Sequence, residues 1–184
     1  MTKKEDIERL VSEIRQKEKY INLLITNAGI TGPKADPESS DASKLKDELF
    51  NKESFSEWSD TFNTNVTGVY FTTVAFLPLL QACKEANGHL SPSVIVISSM
   101  SGIMRHAQGH FSYNAAKGAT VHLARLMSYE FKKAGIRVNS IAPGYVRSFL
   151  GPLTCPTIAS LGIVCFGHAS ISSKYTNDSC PLVP

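Results

Sequence analysis

The 184 residues contain few of the features that several common kinds of site require. The four cysteines are far apart and form no CxxC or Cys/His pattern, so neither a structural zinc site nor a disulfide framework is expected. The formal net charge is only +3 and the lysines are scattered, which argues against a nucleic-acid or membrane-surface partner. The five histidines have no partner pattern either, and no metal site is expected.

Neither the opening residues nor the region near the carboxyl terminus contains a long hydrophobic run. The opening residues, MTKKEDIERL, are charged and include no apolar signal core. The longest apolar run near the carboxyl terminus, at 157–167, is too short to cross a bilayer. With 42% hydrophobic and 19% charged residues, the composition is that of a globular domain, and we expect a cytoplasmic protein without a membrane partner.

Between residues 3 and 144 the hydrophobic pattern alternates between two periods. A helical period covers 3–19, 54–86 and 111–134, and short apolar runs cover 21–25, 93–99 and 136–144. Such runs are typical of strands buried in parallel sheets, so the alternation predicts a parallel α/β sheet with right-handed crossovers. Ser54 is the expected N-cap of the second helix, and Pro78 is expected to kink it or to lie near a turn. The polar stretch 31–52 is expected to be a loop with one helical turn in KLKDELF.

The segment 151–184 breaks this pattern. It is rich in Ser, Thr, Pro and Cys, and no helix or strand period persists in it. We expect residues 1–150 to form the folded domain and 151–184 to be a poorly ordered tail with a short apolar anchor at 157–166. The tail is not expected to continue the sheet.

The chemistry is expected at the carboxyl ends of the strands, where ligands of open parallel sheets bind. The strands end in TNAG, ISSMSG and APG, and the helix that begins near residue 111 contains YNAAK. Tyr113 and Lys117 share one face of that helix, and a nearby ammonium lowers the pKa of a phenol from its usual value of about 10. With Ser99 binding the same oxygen, the group could move a proton in carbonyl/alcohol interconversion. Taken singly, each residue also fits turn chemistry or ordinary helix packing.

The ordered motifs on these elements resemble those of the short-chain dehydrogenase/reductase family. The five markers are TNAG at 26–29, NVTG at 65–68, ISSMSG at 97–102, YNAAK at 113–117 and NSIAPG at 139–144. The resemblance runs from about residue 5 to about residue 150. It implies an oxidoreductase that uses NAD or NADP, built on a partial Rossmann-like, doubly wound parallel sheet in three α/β/α layers.

The resemblance also implies roles for individual residues. Tyr113 would be the acid/base, Lys117 would lower the pKa of that tyrosine and bind the nicotinamide ribose, Ser99 would steady the substrate carbonyl, and Asn65 would hold a water behind Lys117. Further cofactor contacts would come from the strand ends and the segment after the last of them: Asn27, Ala28, Gly29, Pro143, Gly144, Val146 and Ser148.

One part of the family pattern has no counterpart in the sequence. The glycine-rich TGxxxGxG turn that holds the cofactor pyrophosphate does not occur, so the resemblance implies a chain truncated at its amino terminus, without the first three strands. The strand at 21–25 would then be an exposed sheet edge.

Two functions follow from this comparison. One is an oxidoreductase that interconverts a small-molecule carbonyl and a secondary alcohol. The other is a catalytically silent remnant that acts through oligomer-type contacts of the helices carrying Asn65 and Tyr113. The substrate, and the choice between NAD and NADP, stay open.

Overall fold

The structure is a computed structural model that describes residues 2–144 and the backbone of 163–166. Its five α-helices are α1 (Lys4–Lys17), α2 (Ala42–Phe50), α3 (Phe55–Phe62), α4 (Gly68–Ala86) and α5 (Phe111–Phe131). Its four strands are β1 (Leu23–Thr26), β2 (Ser93–Ile97), β3 (Arg137–Ile141) and β4 (Ile163–Phe166). The alternation of helices and strands predicted up to residue 144 is confirmed.

The sheet has the order β3-β2-β1-β4. The pairs β1/β2 and β2/β3 are parallel, and their register places Leu24, Val94 and Val138 in one row across the three strands. These parallel strands therefore end together at one edge, where TNAG, ISSMSG and APG follow them.

The hydrophobic core lies on one face of the sheet. The row Leu24, Val94 and Val138 belongs to the same buried cluster as Phe76 of α4 and Met127 of α5. Residues of α1 also pack against this cluster. The alternate strand positions point to the opposite face, where the side chains are partly buried in β1 and β2 and exposed in β3. The partial Rossmann-like fold is confirmed, but within 2–144 the helices of the core cluster cover one face, and the third layer is not among the described elements.

Strand β4 lies in the segment that was expected to stay outside the sheet. It pairs antiparallel with β1, from Thr26 opposite Ile163 to Leu23 opposite Phe166. The expectation that the tail does not join the sheet is therefore wrong for these four residues, and β1 is not an exposed edge. The physical reason is that an apolar edge strand offers a row of unpaired N–H and C=O groups to any extended segment.

The second predicted helix begins as expected and is interrupted elsewhere than expected. Ser54 caps α3 in a capping box with Glu57. The helix then widens into a π turn at Asn63–Thr67, whose end is marked by the bond from Gly68 N–H to Asn63 O. The α-helix continues through Pro78 to Ala86. The irregularity thus lies at the π turn, ten or more residues before the proline.

Two other departures are local. The helical turn predicted in the loop is a full helix, α2, because Asp41 accepts hydrogen bonds from the N–H groups of Ser43 and Lys44. The last predicted helix ends in a short 3₁₀ turn, and Gly135 follows in the left-handed conformation with φ of 75°.

The helical stretch Phe55–Ala86 includes an 18-residue window with a mean hydropathy of 1.5, so by length and composition it could cross a membrane. Core helices have the same properties. Four apolar side chains of this stretch lie in the core cluster: Val69, Phe76, Leu79 and Leu80. Length and composition are therefore weak evidence for a span.

Gly102 brings the turn after β2 directly against α5. A Cβ at this position would lie 2.5 Å from the carbonyl carbon of Lys117 and 2.6 Å from the nitrogen of Gly118. Both atoms are backbone, so neither can rotate away. The absence of a side chain at residue 102 therefore sets the distance between the turn that carries Ser99 and the helix that carries Tyr113.

We expect Gly102→Ala to lower the free energy of unfolding by about 3 kcal/mol, because two backbone segments must separate. Gly88→Ala is the matched control, since a Cβ at residue 88 meets no atom within 4 Å. Urea unfolding of both variants measures the difference. Equal stability of the two variants would contradict the close approach.

Candidate active site

Tyr113 and Lys117 lie one turn apart on α5, as their spacing predicts. Tyr113 is half-buried, whereas Lys117 is only 4% exposed. The ammonium nitrogen of Lys117 lies 5.8 Å from the centre of the tyrosine ring. The lysine is thus a buried charge beside a phenol that solvent can reach.

The Lys117 ammonium is held by the end of β2. Its Nζ donates a hydrogen bond of 2.9 Å to the carbonyl oxygen of Ile97. Burial lowers the pKa of Lys117 to about 8, because the charged form loses hydration. At pH 7 the ammonium form still dominates by about tenfold.

Asn65 lies inside the π turn and is fully buried. Its carboxamide forms a reciprocal pair with the backbone of Ile30: Nδ2 donates to Ile30 O at 2.8 Å, and Ile30 N donates to Oδ1 at 3.0 Å. This pair ties the helix of Asn65 to the residue that follows TNAG. The side chain is therefore fixed in orientation at the carboxyl end of β1.

Gly29 lies between Asn65 and Lys117. A Cβ at residue 29 would come within 2.9 Å of Asn65 Oδ1 and 3.5 Å of Lys117 Nζ. Both polar atoms therefore border the same point beside Gly29. A larger residue there would push the two groups away from β1.

The two serines after β2 have different surroundings. Ser98 is buried and serves the sheet, because its Oγ donates to Ile141 O at 2.9 Å and accepts from Ser140 Oγ at 2.8 Å. Ser99 is half-buried, and its Oγ accepts a 3.1 Å bond from Ser101 N. A hydroxyl that accepts one bond can still donate its proton, so Ser99 is the serine that could bind a substrate oxygen.

The Pro-Gly turn after β3 lies beside the Ser99 turn. Met100 N donates to Pro143 O at 2.9 Å. A Cβ on Gly144 would lie 3.2 Å from Met100 Sδ. The ends of β2 and β3 are therefore joined at this edge, with Pro143 and Gly144 exposed.

Four other residues were predicted to contact the cofactor. Asn27 and Ala28 are half-buried at the end of β1. Val146 and Ser148 lie outside the described residues. The structure thus brings together Tyr113, Lys117, Asn65 and Gly29.

The approach of Ser99 Oγ to the Tyr113 hydroxyl, within about 8 Å if one substrate oxygen is to bridge them, stays a prediction.

Two residues that hold this arrangement were not expected from the sequence. Gly102 sets the approach of the Ser99 turn, and Thr120 donates a hydrogen bond of 2.8 Å to Asn65 O. The available signal for Thr120 was its position three residues after Lys117, on the same face of α5. A threonine at such a position is too common in helices to be singled out.

The buried ammonium gives a pH-dependent prediction for Lys117→Met. The pKa of Lys117 is lower in the folded chain than in an unfolded one, so the wild type gains stability as the pH rises from about 8 to 10.5. Relative to Lys117→Met, we expect a gain of about 3 kcal/mol across that range. Chemical denaturation at a series of pH values measures it.

Lys133→Met is the matched control, because Lys133 is exposed. This variant measures how much of the change comes from removing an exposed lysine. Parallel curves for Lys117→Met and the wild type would show that the lysine is not desolvated.

The motifs at this edge lie within a longer match to a known family. A family model described as short chain dehydrogenase matches residues 1–152. The short-chain dehydrogenase/reductase PhomF of Diaporthe leptostromiformis is 38% identical over 150 residues, which are 79% of this chain and 50% of that protein. The short-chain dehydrogenase/reductase SAT3 of Stachybotrys chartarum is 34% identical, over 83% of this chain and 62% of that protein. The chain thus spans about half to two thirds of the length of these relatives.

Solved structures agree with this match. The RhlG/NADP active-site complex of Pseudomonas aeruginosa superposes with a TM-score of 0.64 at 27% identity, over 80% of this chain and 52% of that one. The NADH-dependent reductase A1-R' complexed with NAD gives a TM-score of 0.62 at 27% identity, over 79% of this chain and 54% of that one. On the family match and the fold together, the chain belongs to the short-chain dehydrogenase family.

Proposed function

We propose that this chain carries the reaction centre of an NAD(P)-dependent oxidoreductase that interconverts a small-molecule carbonyl and a secondary alcohol. The observation that supports it most directly is the position of the Lys117 ammonium, which is buried, lies 5.8 Å from the centre of the Tyr113 ring and borders Gly29 together with Asn65 Oδ1. A hydrolase would need an activated nucleophile, and no GxSxG elbow occurs in the sequence.

In this proposal Tyr113 gives a proton to the substrate oxygen in reduction and takes it back in oxidation. The ammonium of Lys117 stabilises the negative charge on the phenolate oxygen. Ser99 donates a hydrogen bond to the same substrate oxygen, keeps its own proton, and orients that oxygen. Asn65 acts behind Lys117, on the side away from the substrate, where a water could carry a proton towards solvent.

The residues at the sheet edge fit the nicotinamide side of a dinucleotide. Gly29 provides a close approach beside Lys117, and the exposed Pro143-Gly144 turn lies next to Ser99. A bound NAD(P)H would supply the hydride. Two of the similar solved structures are described as complexes with NADP and with NAD, so either cofactor is compatible with the proposal.

The sequence does not contain the usual glycine-rich turn for the pyrophosphate of the cofactor. No GxGxxG or TGxxxGxG sequence occurs among the 184 residues. Such a turn supplies backbone N–H groups and a helix N-terminus to the doubly charged group. The proposal therefore assigns the chain the reacting half of the site and no glycine-rich phosphate turn.

A second candidate function is association through α4 and α5 without catalysis. Both helices expose large apolar side chains, with Tyr70 at 41%, Leu126 at 51% and Tyr129 at 63% exposed. Tyrosine in particular is enriched in subunit interfaces. In this candidate the chain forms oligomers through these helices, whether or not it turns over a substrate.

We expect the 184-residue chain to bind NADH and NADPH only weakly. Each charge-assisted hydrogen bond to the pyrophosphate contributes about 1.5–3 kcal/mol. Losing two or three would weaken binding by roughly 3–9 kcal/mol, or about two to six decades. Titration calorimetry with each cofactor measures the affinity. Low-micromolar binding of either one would show that another surface holds the pyrophosphate.

The proposed reaction is tested by Tyr113→Phe. With millimolar NADH or NADPH and a panel of aldehydes and ketones, we expect slow turnover by the wild type and a loss of at least about a hundredfold in the variant, because the proton donor is removed. Tyr129→Phe is the matched control, a tyrosine on the same helix that is 63% exposed.

Equal turnover in the two variants would refute the role of Tyr113. No turnover by the wild type, together with a concentration-dependent dimer in sedimentation, would favour the second candidate.

A further inference from the structure

The π turn of Asn65 has a hydrogen-bond donor on α5. Thr120 Oγ1 lies 2.8 Å from the carbonyl oxygen of Asn65. Both residues are fully buried. The contact joins positions 55 residues apart in the chain. It therefore connects the helix of Asn65 with the helix of Tyr113 and Lys117.

A hydrogen bond from a neighbouring helix can stabilise a π turn. The wider turn shifts backbone bonds from i+4 to i+5, as the bond from Gly68 N–H to Asn63 O shows. A side chain that reaches the ladder of hydrogen bonds can hold such an irregular turn in place. Thr120 does so three residues after Lys117, on the same side of α5.

The side chain of Asn65 depends on where its backbone lies. Its two amide atoms bond the N–H and C=O of Ile30, and its Oδ1 borders Gly29. A shift of the π turn by a fraction of an ångström would lengthen both bonds to Ile30. The orientation of the carboxamide towards Gly29 and Lys117 is thus coupled to the position of the Asn65 backbone.

We propose that Thr120 is a positioning residue: its hydroxyl holds the carbonyl of Asn65 and thereby keeps the Asn65 carboxamide in register with Ile30 beside Lys117. The inference rests on the proposed function, since Asn65 matters for the chemistry only if Lys117 serves the reaction. Its test needs no turnover, so failure of the proposed function and failure of this inference can be told apart.

The competing explanation is ordinary back-bonding. Thr120 Oγ1 is also 2.8 Å from Ala116 O, four residues earlier, which is the usual partner of a threonine inside a helix. One hydroxyl proton cannot serve both acceptors at full strength. If Ala116 takes the proton, Thr120 has no special effect on Asn65.

The chain contains a matched control for this alternative. Thr73 is fully buried in α4, and its Oγ1 donates to Val69 O at 2.8 Å, again four residues earlier. Thr73→Val therefore removes a buried back-bond of the same length, outside the Asn65 turn. The difference between Thr120→Val and Thr73→Val isolates the contact with Asn65.

The amide proton of Ile30 reports on the Asn65 side chain. The Ile30 side chain is 36% exposed, and its N–H donates to Asn65 Oδ1. Hydrogen exchange followed by NMR on the 184-residue chain measures its protection. We expect about tenfold faster exchange at Ile30 in Thr120→Val, as for a loss of one hydrogen bond, with exchange in β2 unchanged.

Thr73→Val should leave the hydrogen-exchange rate of the Ile30 amide at its wild-type value. Thr120→Ser keeps the hydroxyl, so it should give the wild-type rate as well. The same Ile30 rate in Thr120→Val and Thr73→Val would overturn the inference. If Thr120→Val does not fold, Thr120→Cys replaces it, because a thiol is a weak donor of nearly the same size. Faster exchange at Ile30 in Thr120→Cys would support the inference, and a wild-type rate would overturn it.

Discussion

The burial of one ammonium group is the constraint on which the rest of the site depends. Lys117 is 4% exposed and has to keep its charge in a place where hydration is largely lost. The carbonyl of Ile97 at the end of β2 compensates in part. Gly29 has no side chain, so the backbone after β1 can lie beside the ammonium. Gly102 has none either, so the turn after β2 can pack against the backbone of α5. The two glycines therefore belong to the geometry of the lysine as much as to turns.

The sequence predicted those parts of the fold that local chemistry determines. Helix and strand periods identified the three parallel strands and the helical stretches around α1, α3–α4 and α5. The N-cap Ser54 was predicted correctly because it satisfies backbone groups within its own turn. The pairing of Tyr113 with Lys117 followed from helix spacing alone. Nothing beyond one turn of helix was needed for these predictions.

The features that were missed depend on contacts that are distant in the chain. The π turn keeps a helical hydrophobic pattern, so its position could not be predicted from periodicity, and the sequence indicated a kink near Pro78 instead. The bonds of Asn65 to Ile30 and to Thr120 span 35 and 55 residues. Strand β4 is only four residues long and pairs with β1 from the other end of the chain. A short apolar run in a segment without a period gives no indication of its partner.

The free-energy cost of burying the Lys117 ammonium is linked to the pKa of that group. A lysine in water has a pKa near 10.4 and gives up its proton too rarely at neutral pH to take part in proton transfer. Burial lowers the pKa to about 8, so in the proposed reaction the group would still be charged at pH 7 and could also release a proton. The shift corresponds to about 3 kcal/mol of lost stability at neutral pH, which the buried core has to offset. An arrangement that held the lysine only for packing would gain by replacing the ammonium with a methyl group, and a charge kept at this cost is what the proposed reaction at the sheet edge would require.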